Sequence, residues 1–174
     1  MIERKKRWIA ALAWVFLIFS TLYVVRPVCD YLSARIPLGI VVNFTTIFSF
    51  LLFLFIAAKK FRIRKVSSFL ALFFVFCAYI YGLKLLVLPA ERVHFIEYGI
   101  LALLLFRALA ADLTLGKSFA SAFVLTSLIG WADELVQGLL PNRYYELKDV
   151  CLNSISGLLA LLSVWVFCRE KEAK

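Results

Sequence analysis

Histidine occurs only once in this 174-residue chain, as His94, and the four cysteines, Cys29, Cys77, Cys151 and Cys168, show no CxxC or finger-like spacing. That scarcity excludes the classes built on paired cysteines and histidines, zinc fingers and thiol redox motifs among them. Cys77 falls mid-span and Cys168 near a helix end, where packing accounts for both. Cys29 and Cys151 share one side of the membrane on the topology below, which leaves a disulfide between them open. No internal repeat is visible, which argues against a transporter built from repeated halves. No Ser–His motif offers a nucleophile. No small-residue cleavage site follows the first apolar run, so Trp8 to Val25 reads as an uncleaved span rather than a signal peptide. Acidic residues are also few, 11 against 20 lysines and arginines, for a net charge of +9. In a soluble protein that excess would point to nucleic acid; its placement here points elsewhere.

Apolar sequence is what abounds. Hydrophobic residues make up 64%, phenylalanine alone contributes 17, and mean hydropathy is +0.93, all far above globular averages. The runs are too long, and too poor in period-two alternation, for a membrane barrel. The expectation is an all-α integral membrane helical bundle, one transmembrane domain over residues 1–174. Six spans follow from the runs: 8–25, 38–58, 66–88, 94–109, 118–140 and 150–168. The stretch 26–37 reads as a polar connection, and Pro141-Asn142-Arg143 as the turn of a helical hairpin.

Orientation comes from the basic residues. With both termini cytoplasmic, the inner segments hold 14 of the 20, namely Arg4, Lys5, Lys6, Arg7, the five between 59 and 65, Arg107, Lys117, Arg169, Lys171 and Lys174. The outer side holds Arg26, Arg35, Lys84, Arg92, Arg143 and Lys148. The positive excess thus faces the cytoplasm, where it sets topology and meets anionic lipid. Nucleic acid is not a partner on this reading. Seven of the 11 carboxylates lie on the outer side, nearly balancing its cations.

Two polar sets interrupt the apolar spans. In Glu91-Arg92-Val93-His94-Phe95-Ile96-Glu97-Tyr98, residues His94, Glu97 and Tyr98 fall at i, i+3 and i+4, on one helical face. In the hairpin from Gly130 to Gly157, Asp133 and Gln137 share a face, and so do Asp149 and Asn153. Glu134 lies about 10 Å below Pro141 at 1.5 Å per residue, and Glu97 lies at a comparable depth. Ionisable groups at that depth cost about 2.5–3.5 kcal/mol each on insertion scales, so they persist only where they pair, meet water or do chemistry. Stapling by Arg92 and Arg143 accounts for some of them. Asn153, Ser154, Ser156 and Gly157 form a small, close-packing face, and Trp131, Tyr144 and Tyr145 suit an interfacial belt. Arg143 beside the turn has the fork that matches phosphate or carboxylate.

The segments ERVHFIEYG and GWADELVQGLLPNRYYELKDVCLNSISG resemble the VanZ-like family. The likeness rests on His-Phe-x-x-Tyr-Gly, Asp-Glu-x-x-Gln, Pro-x-Arg and Asp-x-x-x-Asn ahead of a small-residue helix, over residues 91–162. The resemblance implies a multi-pass protein of the bacterial cytoplasmic membrane, linked to resistance to lipoglycopeptides such as teicoplanin.

Two functions remain open. One is a binding protein whose outward polar pocket takes a membrane lipid, a lipid-linked cell-wall precursor or the lipoglycopeptide itself, with Arg92, Tyr98, Gln137, Arg143, Asp149 and Asn153 as contacts. The other is an intramembrane enzyme on an outer-leaflet lipid or wall precursor, with His94, Glu97, Asp133 and Glu134 as acid–base candidates. A divalent metal on those four would supply an activated water. The second histidine motif of intramembrane metal proteases is missing, however, so the expectation is no metal and no cofactor. Oligomeric state is not legible.

Overall fold

The computed structural model describes residues 2–61, 65–86, 88–141 and 143–172, all helical apart from turns. Arg62, Arg64, Asn142 and Lys174, which the sequence reading places in the basic loop, the hairpin turn and the inner tail, lie outside the described residues. Six helices run in order: α1 (Ile2–Ser33), α2 (Leu38–Phe61), α3 (Val66–Leu85), α4 (Pro89–Leu109), α5 (Leu115–Gln137) and α6 (Leu147–Glu172).

Five of these, all but α4, are long and apolar enough to cross a membrane. α4 falls short on composition because Glu91, Arg92, Glu97 and Arg107 interrupt it. Yet α4 is the centre of the bundle, packed against α1, α2, α5 and α6, while α6 also packs on α2, α3 and α5. Surrounded in this way, the one helix without an uninterrupted apolar run is shielded by helices that have one, as groups too polar for lipid require. The outer faces are correspondingly apolar: Phe16, Phe44 and Phe74 are 75%, 71% and 67% exposed. So much exposed aromatic surface on one molecule suits hydrocarbon and not water.

Three expectations change. The stretch 26–33, expected as a connection, continues α1 straight through Pro27. Proline removes one ladder hydrogen bond, a loss that membrane helices tolerate where neighbours satisfy the freed backbone. α5 stops at Gln137, three residues short of Leu140, because Leu139 and Leu140 turn back onto the Val136 and Gln137 carbonyls. Such i→i+3 bonds tighten a helix end. Cys77, expected to pack, faces outward and is exposed, whereas Cys29 is buried beside Leu38 and Ala90. All four thiols are free, and Cys151 is exposed, so the Cys29–Cys151 bridge is not formed.

The start of α4 is fixed locally. Pro89 occupies the first turn, where a missing N–H is harmless, and Glu91 Oε2 accepts the Leu88 N–H at 3.1 Å. Below it, Phe50 of α2 stacks on Tyr79 of α3 with ring centres 4.2 Å apart, and Tyr79 meets Phe95 of α4 at 4.9 Å. These aromatic contacts set the depth of α4, and with it the depth of His94 and Tyr98.

Candidate functional site

At the end of the bundle where α4 begins and α5 stops, a buried polar network joins these two helices. Asp133 is 0% exposed, Glu134 1% and Gln137 2%. Tyr98, itself fully buried, donates from its hydroxyl to Asp133 Oδ2 at 2.9 Å. Gln137 donates to Asp133 Oδ2 at 3.2 Å and to Glu134 Oε1 at 3.0 Å, bridging the two carboxylates through the i, i+3 and i, i+4 spacings of α5. Glu134 Oε2 receives the backbone N–H of Glu146 at 3.4 Å. One acid thus faces α4 and the other holds the α5–α6 connection.

Gly130 makes this approach possible. A Cβ there would sit 3.0 Å from Asn153 Cβ and 3.2 Å from a Tyr98 ring carbon. Only a residue without a side chain lets α4, α5 and α6 close on the network at this level. Sequence reading missed this role; the signal was a glycine one turn before Asp133 on the same face.

His94 lies between carboxylates of two helices. Its Nδ1 is 3.2 Å from Glu97 Oε2 and 3.9 Å from Asp133 Oδ2, ion-pair distances, and neither ring nitrogen has a hydrogen-bond partner among the described residues. The backbone carbonyl of Glu97 accepts from Trp14 Nε1 at 2.9 Å, which pins α1 against α4 here. Trp14 was another contributor with no signal in its spacing.

On the α6 side of His94 a narrow cleft opens, lined by Leu86, Glu91, His94, Asp149, Leu152 and Asn153. Its volume is about 10 Å³, room for roughly one water-sized group. Three of the lining side chains carry a buried atom that no protein group satisfies: His94 Nε2, Asp149 Oδ1 and Asn153 Nδ2. Native interiors rarely leave such atoms unpaired. Donor and acceptor capacity therefore sits together in one recess.

The arginines stand apart from this recess. Arg92 Nε and Nη2 donate to the Leu86 carbonyl at 3.3 and 2.9 Å, and Nη1 donates to the Gly39 carbonyl at 3.0 Å. Its fork ties α2 to the α3–α4 turn. Arg143 Nη2 reaches the Leu22 carbonyl of α1 at 3.5 Å, and its Nε is buried without a partner. Burial, and after it the neighbouring Arg26, press the Arg143 pKa downward. Neither arginine forms an ion pair within 4 Å of Asp133, Glu134 or Glu97 among the described residues, so the stapling expected from the sequence takes another form. Lys148 pairs with Glu91, at 3.7 Å.

The expected residues therefore separate into groups. Tyr98, Asp133, Glu134 and Gln137 form the network; His94 with Glu97 adjoins it; His94, Asp149 and Asn153 line the cleft; Arg92 and Arg143 bind backbone. Glu91, which lines the cleft, completes the set. Among the described residues no three His, Cys, Asp or Glu side chains are arranged to hold a metal ion. No family model, curated protein or solved structure matches the chain.

Proposed function

We propose that this chain is a VanZ-like multi-pass protein of the bacterial cytoplasmic membrane, both ends inside, that binds a lipid or lipid-linked amphiphile by taking one small polar group of its head into the cleft beside His94. The observation that carries the reading is the trio of unsatisfied buried atoms, His94 Nε2, Asp149 Oδ1 and Asn153 Nδ2, on one small recess. An unpaired buried polar group costs about 1–3 kcal/mol, and a ligand that pairs all three recovers that cost on binding. Glu91 and Asp149 line the recess, and Glu97 and Asp133 stand beside His94 Nδ1, so it suits a hydroxyl, amide or ammonium and repels an anion. A lipid-linked wall precursor or a lipoglycopeptide carries such groups on an apolar anchor. The apolar outer faces of the bundle, the resemblance of its polar motifs to those of the VanZ-like family and the asymmetry of basic residues support the same assignment.

The test pairs phenotype with stability. Asp149→Asn and Asn153→Ala are expected to abolish any reduction in teicoplanin susceptibility that the protein confers on a sensitive host, with little change in melting in detergent. Full protection by both variants, or wild-type protein that confers none, overturns the reading.

A second reading has one observation in its favour, the imidazole of His94 held between Glu97 and Asp133. Carboxylates that orient a histidine are the usual setting of a general base. On that reading His94→Ala ends turnover of a lipid-linked substrate, whereas a pure binder yields no product from wild type either.

A further inference from the structure

A second recess lies on the opposite side of α4 and belongs to neither the network nor the cleft. It begins between Ser49 of α2, Tyr79 of α3 and Phe95 of α4, with a volume of about 220 Å³. It continues toward the other end of the bundle as a wider channel of about 530 Å³ between α2, α4 and α6. Phe53, Ile100 and Leu103 line both parts, so the two form one groove. Along α4 it runs from Ile96 to Arg107, about 16 Å at 1.5 Å per residue. A single leaflet contributes about half of a 30 Å hydrocarbon core, so the groove is one leaflet deep.

Its walls are apolar, and among the described residues the charged side chain that lines it is Arg107, at the far end. Among the described residues the Arg107 guanidinium has no ion-pair partner. Arg7 donates to the Arg107 backbone carbonyl at 3.2 Å, so a second cation sits at the same end. Arg4 is there too, paired with Asp112 at 3.0 Å. Among the described residues the opposite end of the groove offers the hydroxyls of Ser49, Tyr79 and Ser156, and Ser156 is already bonded to the Phe95 carbonyl. An occupant is therefore oriented: hydrocarbon along α4, negative charge at Arg107.

We propose that the groove between α2, α4 and α6 binds one anionic phospholipid, its acyl chain along α4 and its phosphate-bearing head on Arg107. A partner that offers only an apolar face would leave the cation at the groove's end unmatched; an anionic lipid matches both the walls and the end. On the orientation proposed above, this lipid comes from the cytoplasmic leaflet. The site is separate from the polar cleft and stands whether or not the cleft binds an amphiphile.

The purified protein in detergent, titrated with phosphatidylglycerol and with phosphatidylcholine of the same chains, tests this by native mass spectrometry. Wild type is expected to hold one phosphatidylglycerol per chain in preference to phosphatidylcholine, by about fivefold for one arginine beside an anionic head group. Arg107→Gln should remove the preference and Arg107→Lys should keep it. Leu103→Trp and Ile100→Trp, which fill the groove where its two parts meet, should lower retention of both lipids. Melting of each variant identifies any that misfolds, and the other tryptophan variant then decides. Asp149→Asn, in the cleft, should leave the preference untouched. Equal binding of the two lipids by wild type, an unchanged preference in Arg107→Gln, or retention by a folded tryptophan variant each overturn the proposal. So does a dimer that Leu103→Trp breaks and lipid does not.

Discussion

The hydroxyl of Tyr98 and the carboxylate of Asp133 meet 2.9 Å apart across the α4–α5 interface, with both side chains fully buried. The phenol thereby supplies a donor that burial would otherwise deny the acid, and the acid gives the phenol its acceptor. One bond thus pairs the Tyr98 hydroxyl with Asp133 Oδ2, while Asp133 Oδ1 stays buried without a partner.

Tyr98→Phe removes that donor and leaves Asp133 Oδ2 with Gln137 alone. The expected cost is about 1–3 kcal/mol, read as a lower melting temperature in detergent. The double change with Asp133→Asn should be less damaging than the sum of the singles, because both act through the same bond. Full additivity, or unaltered melting of Tyr98→Phe, would count against this pairing.

Gly130→Ala should destabilise by about 1–3 kcal/mol, since the new Cβ meets Asn153 Cβ at 3.0 Å and the Tyr98 ring at 3.2 Å. Gly116→Ala is the control: nothing lies within 4 Å of its Cβ, and alanine favours the helix. Opposite signs for the two in a thermal melt are expected. Equal, small effects would mean that the helices do not approach closely at Gly130.

Arg92→Lys should lower stability while sparing cleft function. A lysine is a point donor and cannot hold the Leu86 and Gly39 carbonyls with one planar fork. Losing one such charged hydrogen bond costs about 1.5–3 kcal/mol. The decisive comparison is melting against teicoplanin susceptibility. A variant that melts normally but has lost its phenotype would place Arg92 in ligand binding instead.

Membrane orientation is open to chemical labelling in a background with the native cysteines replaced by serine. Lys65→Cys, at an exposed site between α2 and α3, should react with an impermeant maleimide only after cells are opened. Tyr144→Cys, whose native side chain is 78% exposed beside the α5–α6 turn, should react in intact cells. The reverse pattern would invert the topology, and labelling of both sites from outside would remove a span.

Much of the helical content follows from local composition. Apolar runs about as long as a bilayer core is thick declare helices in any surroundings, which is why five of the six were legible; α4 was legible as a shorter run, and ends were displaced by up to eight residues, at α1. The facing of polar residues was legible on the same ground. Asp133 with Gln137, and His94 with Glu97, are set by the 3.6-residue turn alone, and the structure realises both contacts.

Partners across helices were not legible, because rotation and depth belong to packing. From spacing, Arg92 and Arg143 were natural counter-ions for the acids; in the bundle they reach the carbonyls of Leu86, Gly39 and Leu22. Tyr98 rather than an arginine meets Asp133, because the aromatic contacts among Phe50, Tyr79 and Phe95 set the height of α4 and Gly130 sets its distance from α5 and α6. α1 running on through Pro27, the central place of the helix that charged residues interrupt and the groove ending at Arg107 are likewise products of assembly. A sequence determines which faces of a helix must be hidden. Which neighbour hides each face depends on side-chain volumes and hydrogen bonds on several helices at once, and only the tertiary structure decides it.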